Sequence, residues 1–277
     1  TFYAIKLFPV EEEGDKYVIS PFFLNQDRFK GLSHRSIIPV LDSQILSKSY
    51  GKDKQAMVSF ILMELAPHGD FYDLIKRCKM PKDDKLVRTY FHQLIEGIEF
   101  LHNNGIAHLD LKLGNLLLGE GYNLKIADLD FAYVVEKDGS FLGRGSKNYR
   151  APELINGTCT LPFAADIYSA GIILFILKLR YYPYIERYKI KGYNLFEMLM
   201  KDPEDYWKHF SECFEGLQEL DKDFKELFSS MVKFNPRDRA DIQTIKQSKW
   251  YSGPTYTPIE LKVLMHNRFH FSGLMKK

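Results

Sequence analysis

Two short segments in the middle of the chain hold polar side chains at a spacing that rarely arises by chance. The segment from His108 to Asn115 reads His-Leu-Asp-Leu-Lys-Leu-Gly-Asn, and Asp128-Leu-Asp130 follows it. A single Asp in a loop is most often a turn former or a helix cap. Together, however, these residues offer carboxylate and carboxamide oxygens, which suit a hard cation such as Mg²⁺, beside a lysine that offsets negative charge. The joint pattern therefore favours a catalytic site over a set of ordinary turns.

The elements that must position these segments follow from the apolar pattern. Near the start, residues 2–8 have the composition of a strand that stops at Pro9. Ser20-Pro21 opens a helix that we expect to end near Gly31. Residues 58–65 form a continuous apolar run of strand length. The first part of the chain is therefore predicted to be rich in strands.

Helical spacing takes over in the second part of the chain. Apolar residues recur at three- and four-residue intervals from Leu86 to Leu101, which predicts a helix leading into the first polar segment. The apolar runs 116–118 and 124–127 predict a hairpin leading into the second. Residues 168–179 are apolar on all sides, which predicts a buried helix.

Charge and cysteine usage exclude some classes of protein. The chain of 277 residues has 38 Lys plus Arg against 36 Asp plus Glu, a balance that argues against general nucleic-acid binding. Three cysteines, Cys78, Cys159 and Cys213, are far apart and in no metal-ligand spacing. This usage predicts a reducing, intracellular and cytoplasmic location.

Membrane and secretion signals are not expected from the sequence. The most apolar run, residues 170–177, is shorter than the ~20 residues that a spanning helix needs. The N-terminus shows no apolar core behind a basic start, so no signal peptide is predicted. Because the chain begins at Thr1 in strand-like sequence, we expect a fragment or a trimmed chain.

With its polar segments His108–Asn115 and Asp128–Asp130, the sequence resembles the eukaryotic protein kinase family. The resemblance covers essentially the whole chain, and an ordered set of motifs like this is highly specific. It implies an α+β fold of two lobes, with a partial antiparallel β N-lobe over residues 1–65, whose first strands are missing, and a larger, mainly α-helical C-lobe over residues 66–277. The further matches are Tyr3-Ala-Ile-Lys6, Ala151-Pro-Glu153, Asp166-Ile-Tyr-Ser-Ala-Gly171 and Asn235-Pro-Arg-Asp-Arg239.

The resemblance implies phosphoryl transfer from ATP with Mg²⁺ as cofactor. Asp110 would accept the proton of the attacking hydroxyl, and Lys112 would offset the charge of the γ-phosphate. Asn115 and Asp128 would be the metal ligands. Lys6 would hold the α- and β-phosphates of ATP.

The same resemblance implies a pocket for the adenine ring. Ala4 and Leu117 would lie above and below the ring, and Met63 would guard the back of the pocket. For these three residues, packing in the core explains the residue type equally well. Glu64 and Ala66 would offer main-chain hydrogen bonds to adenine.

Other acidic positions have roles that the resemblance implies. Asp70 would bind the ribose of ATP. Glu153 and Arg239 would form a buried ion pair that supports the fold. Asp166 would brace the catalytic loop, the segment from His108 to Asn115, by holding the backbone of that loop.

The substrate class also follows from the resemblance. Lys112 in Asp-Leu-Lys-x-x-Asn looks like the serine/threonine branch of the family. The segment Gly145-Ser-Lys-Asn-Tyr149 resembles the Gly-Thr-x-x-Tyr segment of that branch, which would put Ser146 near the substrate hydroxyl. The implied partner is a protein substrate with Ser or Thr, while any regulatory partner is unknown.

Four departures from the family pattern leave a second function open. No Gly-rich loop precedes Lys6, and counting along the chain leads to Asn25 where the family has a Glu to pair with this lysine. Leu109 replaces an Arg, and Asp130 replaces the Gly of Asp-Phe-Gly, a residue that permits unusual backbone angles. The leading hypothesis is an active serine/threonine kinase, and the alternative is a pseudokinase that acts as a binding or scaffolding module. A kinase for small molecules fits poorly.

Overall fold

The computed structural model describes most of the chain, with gaps. The described residues are 2–13, 16–50, 55–77, 80–135, 145–156, 161–184, 189–190, 193–194, 198–199, 202–213 and 220–271. The elements up to residue 64 are β1 (Tyr3–Pro9), β2 (Glu11–Glu13), β3 (Lys16–Val18), α1 (Pro21–Asp27), β4 (Val40–Tyr50) and β5 (Gln55–Glu64).

An antiparallel sheet in the order β1-β5-β4 organises this first part. Strand β1 alternates along its length, so that Ile5 is exposed while Lys6 is partly covered and Phe8 is buried. The side chains of Ala4, Lys6 and Phe8 therefore share the inner face. The sheet thus aims Lys6 toward the rest of the protein.

Helix α1 packs on the inner face of this sheet. It begins with Pro21 at its first position, as predicted, but ends at Asp27, and the chain passes through turns to Gly31, whose φ is 92°. Phe23 of the helix meets Phe8 of β1 edge to face, with ring centroids 5.5 Å apart. These rings, with Val40 and Ile61, form a small hydrophobic cluster of their own.

The remaining part is mostly helical. Its first elements are α2 (Phe71–Lys76), α3 (Asp84–Asn103), β6 (Ile106–Ala107), a 3₁₀ turn (Leu113–Asn115), β7 (Leu116–Leu118), β8 (Leu124–Ile126) and β9 (Tyr133–Val134). Next come α4 (Pro152–Asn156), α5 (Pro162–Leu179), β10 (Lys189–Ile190), β11 (Tyr193–Asn194) and α6 (Pro203–Cys213). The last are α7 (Lys222–Met231), a second 3₁₀ turn (Pro236–Asp238), α8 (Ile242–Gln247) and α9 (Pro258–Phe271).

Helices α3 and α5 form the centre of the large hydrophobic core. The predicted stripe from Leu86 to Leu101 lies on α3, and its apolar residues are buried. Asp83 caps this helix by accepting a hydrogen bond from the Lys85 N–H. The β7–β8 hairpin, which pairs Leu116 with Ile126, packs against α3 as predicted from its apolar runs.

Helix α5 can be apolar around its whole circumference because the rest of the protein covers most of it. It is longer than the apolar run read from the sequence, and within the described residues it is the one helix long and apolar enough to cross a membrane. In this structure 83% of it is buried inside the protein. Its Phe175 packs against the rings of Trp207, Phe210 and Phe228, which is the packing of a core helix.

The architecture is mixed α+β, with a small antiparallel sheet and a helical lobe, and this confirms the predicted fold class. The cluster around Phe8 and Phe23 is separate from the core around α3 and α5. The division of the chain after residue 65 stays a prediction.

Candidate active site

One buried carboxylate, on helix α5, anchors the loop that carries the first polar segment. Asp166 of α5 accepts hydrogen bonds from the main-chain N–H groups of His108 and Leu109, each at 2.8 Å. His102 Nε2 lies 2.9 Å from the same carboxylate. Leu109 has a φ of 59°, a left-handed conformation that is unusual for Leu and that these bonds hold in place. Asp166 therefore braces the loop, as the sequence predicts.

Asp110, the predicted proton acceptor, lies at the centre of a polar cluster. Its side chain is 3% exposed, and both of its oxygens accept hydrogen bonds. Lys112 Nζ donates to Oδ2 at 2.7 Å, while the Ser146 hydroxyl donates to Oδ1 at 2.7 Å. Lys112 Nζ also donates to Ser146 Oγ at 3.0 Å, so the three side chains contact one another. An alcohol can thus reach this carboxylate with a cation beside it.

The two predicted metal ligands are held close to each other by main-chain contacts. The Ala127 N–H, next to Asp128, donates to the Asn115 carbonyl at 2.9 Å. The Asn115 amide nitrogen donates to the Asp110 carbonyl at 2.9 Å and to its Oδ2 at 3.1 Å, which leaves the amide oxygen for a cation. One carboxylate and one carboxamide oxygen fit Mg²⁺, which takes oxygen ligands and completes its shell with water and phosphate.

Lys6 reaches from the sheet to the second polar segment. Its Nζ donates to Asp128 Oδ1 at 2.8 Å and to both oxygens of Asp130 at 2.7 Å. Gln26 Oε1 of helix α1 accepts a longer bond from the same atom at 3.3 Å. The predicted phosphate-holding lysine and the predicted metal ligand Asp128 are therefore in direct contact.

The two acids around Lys6 have opposite pKa shifts. Burial raises the pKa of the Asp128 carboxyl, but the hydrogen bond and charge of Lys6 outweigh it, so this pKa lies below its ordinary value. For Asp130, burial and the neighbouring charge of Asp128 outweigh Lys6 and raise the pKa to about 6. One ammonium group is thus shared by two carboxylates of unequal acidity.

The prediction that Asn25 is the residue of α1 that faces Lys6 is wrong. The residue of α1 that faces Lys6 is Gln26, which is 2% exposed and shares the buried face of the helix with Phe23. The helical spacing from Phe23 to Gln26 was the available signal, because residues three apart lie on one face. Asn25 instead donates from Nδ2 to the carbonyl oxygens of Leu129, Asp130 and Ala132, at 3.0, 2.8 and 2.9 Å.

The backbone at Asp130 does not need the freedom of glycine. Among the described residues, the non-glycine positions with positive φ include Asp128, at 68°, but not Asp130. An acid at position 130 therefore carries no left-handed strain.

The predicted adenine-pocket residues fall into neighbouring pairs. Ala4 lies opposite Met63 in the β1–β5 register, and Leu117 forms a bridge with Asp70. The Asp70 carboxylate accepts a hydrogen bond from the Asp73 N–H at 2.8 Å, so it caps helix α2, a role not predicted from the sequence. The part assigned to Asp70 in ribose binding stays a prediction.

The segment that links β5 to α2 runs beside the predicted adenine-binding residues. The Glu64 side chain, at the end of β5, forms an ion pair with Lys125 of β8 at 2.7 Å. Lys125 is the register partner of Leu117, so the ion pair ties the sheet to the hairpin. Ala66, two residues later, is partly buried in the link between the parts. The main-chain bonds predicted for Glu64 and Ala66 stay predictions.

The buried ion pair predicted to support the fold is present. Arg239 donates through both terminal nitrogens to the Glu153 carboxylate, at 2.5 and 2.6 Å. The arginine also donates to the main-chain oxygens of Lys233 and Ala164. The side chains are 1% and 3% exposed, so this pair fastens the segment before α5 to the chain after α7.

The chain belongs to the protein kinase domain family, whose model matches residues 1–251. Members of this family generally use ATP and Mg²⁺, and they transfer phosphate to proteins.

Serine/threonine-protein kinases are among its relatives. Serine/threonine-protein kinase STK11 of Gallus gallus is 33% identical over 231 residues, which cover 79% of this chain and 47% of the relative. The protein of the same name from Homo sapiens is 30% identical over 227 residues, with the same shares covered. CBL-interacting serine/threonine-protein kinase 8 of Arabidopsis thaliana is 32% identical over 204 residues, 73% of this chain and 42% of the relative. The chain thus spans less than half the length of these relatives.

Proposed function

We propose that this protein transfers the γ-phosphate of ATP to serine or threonine hydroxyls of proteins. The observation that carries the proposal is the contact of the Ser146 hydroxyl with Asp110 Oδ1 at 2.7 Å, beside Lys112. A substrate hydroxyl that replaced Ser146 at this carboxylate would be oriented by Asp110 and would give up its proton there. Lys112 would offset the negative charge that develops on the transferred phosphoryl group.

Mg²⁺ and ATP are the cofactors in this proposal. When bound, Mg²⁺ would neutralise phosphate charge, and Asn115 and Asp128 are the residues that would hold it. Lys6 would hold the α- and β-phosphates, while the pairs around Ala4 and Leu117 would enclose the base. Release of Lys6 from Asp128 accompanies nucleotide binding in this scheme.

The serine/threonine class rests on the catalytic loop and on the relatives. Lys112 contacts both Asp110 and Ser146, which is the arrangement expected for the serine/threonine branch. The relatives carry serine/threonine-protein kinase in their names, and the proposal extends that class to this chain. An intracellular, cytoplasmic location goes with it, since ATP and protein substrates are available there.

The second candidate function is a pseudokinase that binds and scaffolds other proteins. The favouring observation is that Lys6 is engaged by the carboxylates of Asp128 and Asp130 while its helix partner, Gln26, carries no charge. A lysine held this way would meet phosphates only after those contacts are exchanged. The two candidate functions differ in whether phosphate is transferred.

A transfer assay distinguishes these candidates. The full chain is incubated with radiolabelled Mg-ATP and a pool of peptides that contain Ser, Thr or Tyr as the acceptor. Asp110→Asn keeps the size of the side chain and removes its charge, so we expect transfer to fall by at least ~100-fold, the lower range for general base catalysis. The exposed Asp42→Asn is the matched control and should transfer at the rate of the unchanged protein.

Transfer to Ser and Thr peptides that disappears with Asp110→Asn supports the kinase proposal. Equal incorporation in the unchanged protein and in Asp110→Asn, both folded by circular dichroism, contradicts it and favours the scaffolding function. Transfer to Tyr peptides alone contradicts the substrate class.

A further inference from the structure

Lys6 is positioned by an acid that comes from a different element than the helix beside it. Two oxygens of Asp130 lie 2.7 Å from its Nζ, whereas the Gln26 carboxamide of α1 lies 3.3 Å away. Hydrogen bonds between two charged groups are shorter and stronger than those with a neutral partner. The distances and charges therefore assign the stronger hold to Asp130.

Asp128 is less suited than Asp130 to be the lasting partner of Lys6. It accepts from Lys6 with one oxygen, and its side chain is 33% exposed against 15% for Asp130. In the proposed function Asp128 must turn toward a cation, and its bond to Lys6 is then in competition with metal binding. Asp130 has no such second task, so its carboxylate can stay with the lysine.

We infer that Asp130 is the positioning residue for Lys6 and takes the place of an acid on helix α1. This inference rests on the proposed function in one respect, namely that Lys6 serves the nucleotide. Asp128 and Asp130 are the two ends of the predicted metal-ligand segment, and Lys6 contacts both. The lysine and this segment therefore form one unit. Lys6 then follows the segment and not the helix.

Asn25 connects helix α1 to this unit through the main chain. Its Nδ2 donates to three carbonyl oxygens, those of Leu129, Asp130 and Ala132, which enclose the residue that holds Lys6. The Asp130 backbone is thus fixed by α1, and the Asp130 side chain in turn fixes Lys6. Apart from the longer bond to Gln26, helix α1 therefore acts on Lys6 indirectly, through neutral hydrogen bonds to the backbone around Asp130.

Labelling of Lys6 with an amine-reactive acylating reagent tests the inference without any nucleotide. Asp130→Asn keeps the shape of the side chain and removes its charge. We expect labelling of Lys6, followed by mass spectrometry, to rise by about tenfold, the size expected for losing charge-assisted hydrogen bonds. Lys125, which pairs with Glu64, is the internal reference, and Asp42→Asn is the control variant.

A second substitution tests for rescue. Gln26→Glu places a carboxylate where the Gln26 oxygen already lies 3.3 Å from Lys6, so adding it to Asp130→Asn should return labelling to within about twofold of the unchanged protein. The dissociation constant for ADP with Mg²⁺ should follow the same order, weaker for Asp130→Asn and restored in the double variant. A purely repulsive effect of acids near the phosphates predicts the opposite order.

Unchanged Lys6 labelling in Asp130→Asn overturns the inference, and so does a double variant that labels like Asp130→Asn. If Asp130→Asn does not fold, Asn25→Ala decides, because it removes the hold on the backbone and keeps the charge. Lys6 labelling should then rise, and a rate equal to that of the unchanged protein overturns the inference. Since labelling needs neither ATP nor transfer, failure of the kinase proposal would leave this result standing.

Discussion

The Asp166 carboxylate shows how much of the site depends on a residue that touches no reactant. It accepts two main-chain N–H groups of the catalytic loop and lies beside His102, all from a buried position on α5. A carboxamide of the same size cannot reproduce this set, because its nitrogen would face a donor. A buried donor left without an acceptor costs about 1–3 kcal/mol.

We therefore predict that Asp166→Asn lowers the free energy of unfolding by about 1–3 kcal/mol. The strained left-handed backbone at Leu109 loses its support, so peptide phosphorylation should fall more than the affinity for Mg-ADP does. Urea unfolding, transfer rate and nucleotide titration measure the three quantities. Equal losses in rate and in nucleotide affinity would mean that Asp166 supports the whole site and not the loop.

Two partly buried histidines predict how stability depends on pH. Burial lowers the pKa of His92, which stacks on Tyr251, and of His34, which stacks on Phe100, although Glu96 opposes both shifts. Below pH ~6.5 the unfolded chain takes up protons more readily at both residues than the folded chain does. Their contribution is complete above that pH and declines as the pH falls.

The free energy of unfolding should accordingly decrease between pH 7 and pH 5. Replacing both histidines by Gln should flatten this part of the profile, as measured by urea unfolding at a series of pH values. A double variant with the same slope as the unchanged protein would assign the pH dependence to other groups.

Helix α1 illustrates which parts of the site the sequence predicts and which it does not. The catalytic loop lies between well-defined elements, α3 and the β7–β8 hairpin, and the structure brings Asp110, Lys112 and Asn115 of its motif into contact. Their roles in catalysis stay predictions. The segment between β1 and α1 has no repeating pattern that sets its length, and a count across it is wrong by one residue at Asn25. Only packing, which buries Gln26 beside Phe23, identifies the residue that faces Lys6.

The contacts of Asp130 and Asp70 could not be predicted for a different reason. The residue types are visible in the sequence, but the partner of Asp130 is the distant Lys6, whereas Asp70 caps the adjacent helix α2 through the Asp73 N–H. A carboxylate on its own does not show whether it will pair with a lysine, bind a ribose or cap a helix. Only the fold decides among these roles.

Helix α3 approaches the hairpin closely because of Gly97. A Cβ at this position would lie 2.7 Å from Ile126 Cδ1 and 3.2 Å from the main-chain oxygen of Ser36. Alanine raises helix propensity by about 1 kcal/mol, whereas overpacking costs about 1–3 kcal/mol. Since Ser36 contributes main-chain atoms that cannot rotate away, the overpacking cost should be the larger.

We predict that Gly97→Ala lowers the melting temperature despite its better helix propensity. Gly121→Ala is the control, because the nearest atom to its Cβ is the Asn123 side-chain oxygen at 3.6 Å. Differential scanning calorimetry gives both values. A Gly97→Ala variant as stable as the unchanged protein would show that the helix and the hairpin can separate without cost.

Across the whole molecule, the predicted nucleotide site joins the sheet to the helical part. Lys6 comes from β1, whereas Asp128 follows β8, and the two now contact each other directly. A ligand that binds both groups binds the folded state alone, and at a hundred times its dissociation constant it stabilises that state by about 2.7 kcal/mol.

Mg-ADP should therefore raise the melting temperature of the unchanged protein more than ADP alone does. Asp128→Asn removes a predicted metal ligand, so we expect the increment due to Mg²⁺ to disappear while part of the effect of ADP remains. Thermal melts with and without chelator measure this. A Mg²⁺ increment that survives Asp128→Asn would place the cation elsewhere.

The burial of helix α5 has a consequence for how the chain is made. Residues 162–179 leave the ribosome before residues 203–231, which supply Trp207, Phe210 and Phe228 to cover Phe175. During that interval a long apolar segment has no cover from those rings. Such exposed surface aggregates readily, and it is what chaperones bind. Synthesis of this protein is thus expected to depend on chaperones that hold α5 until α6 and α7 emerge.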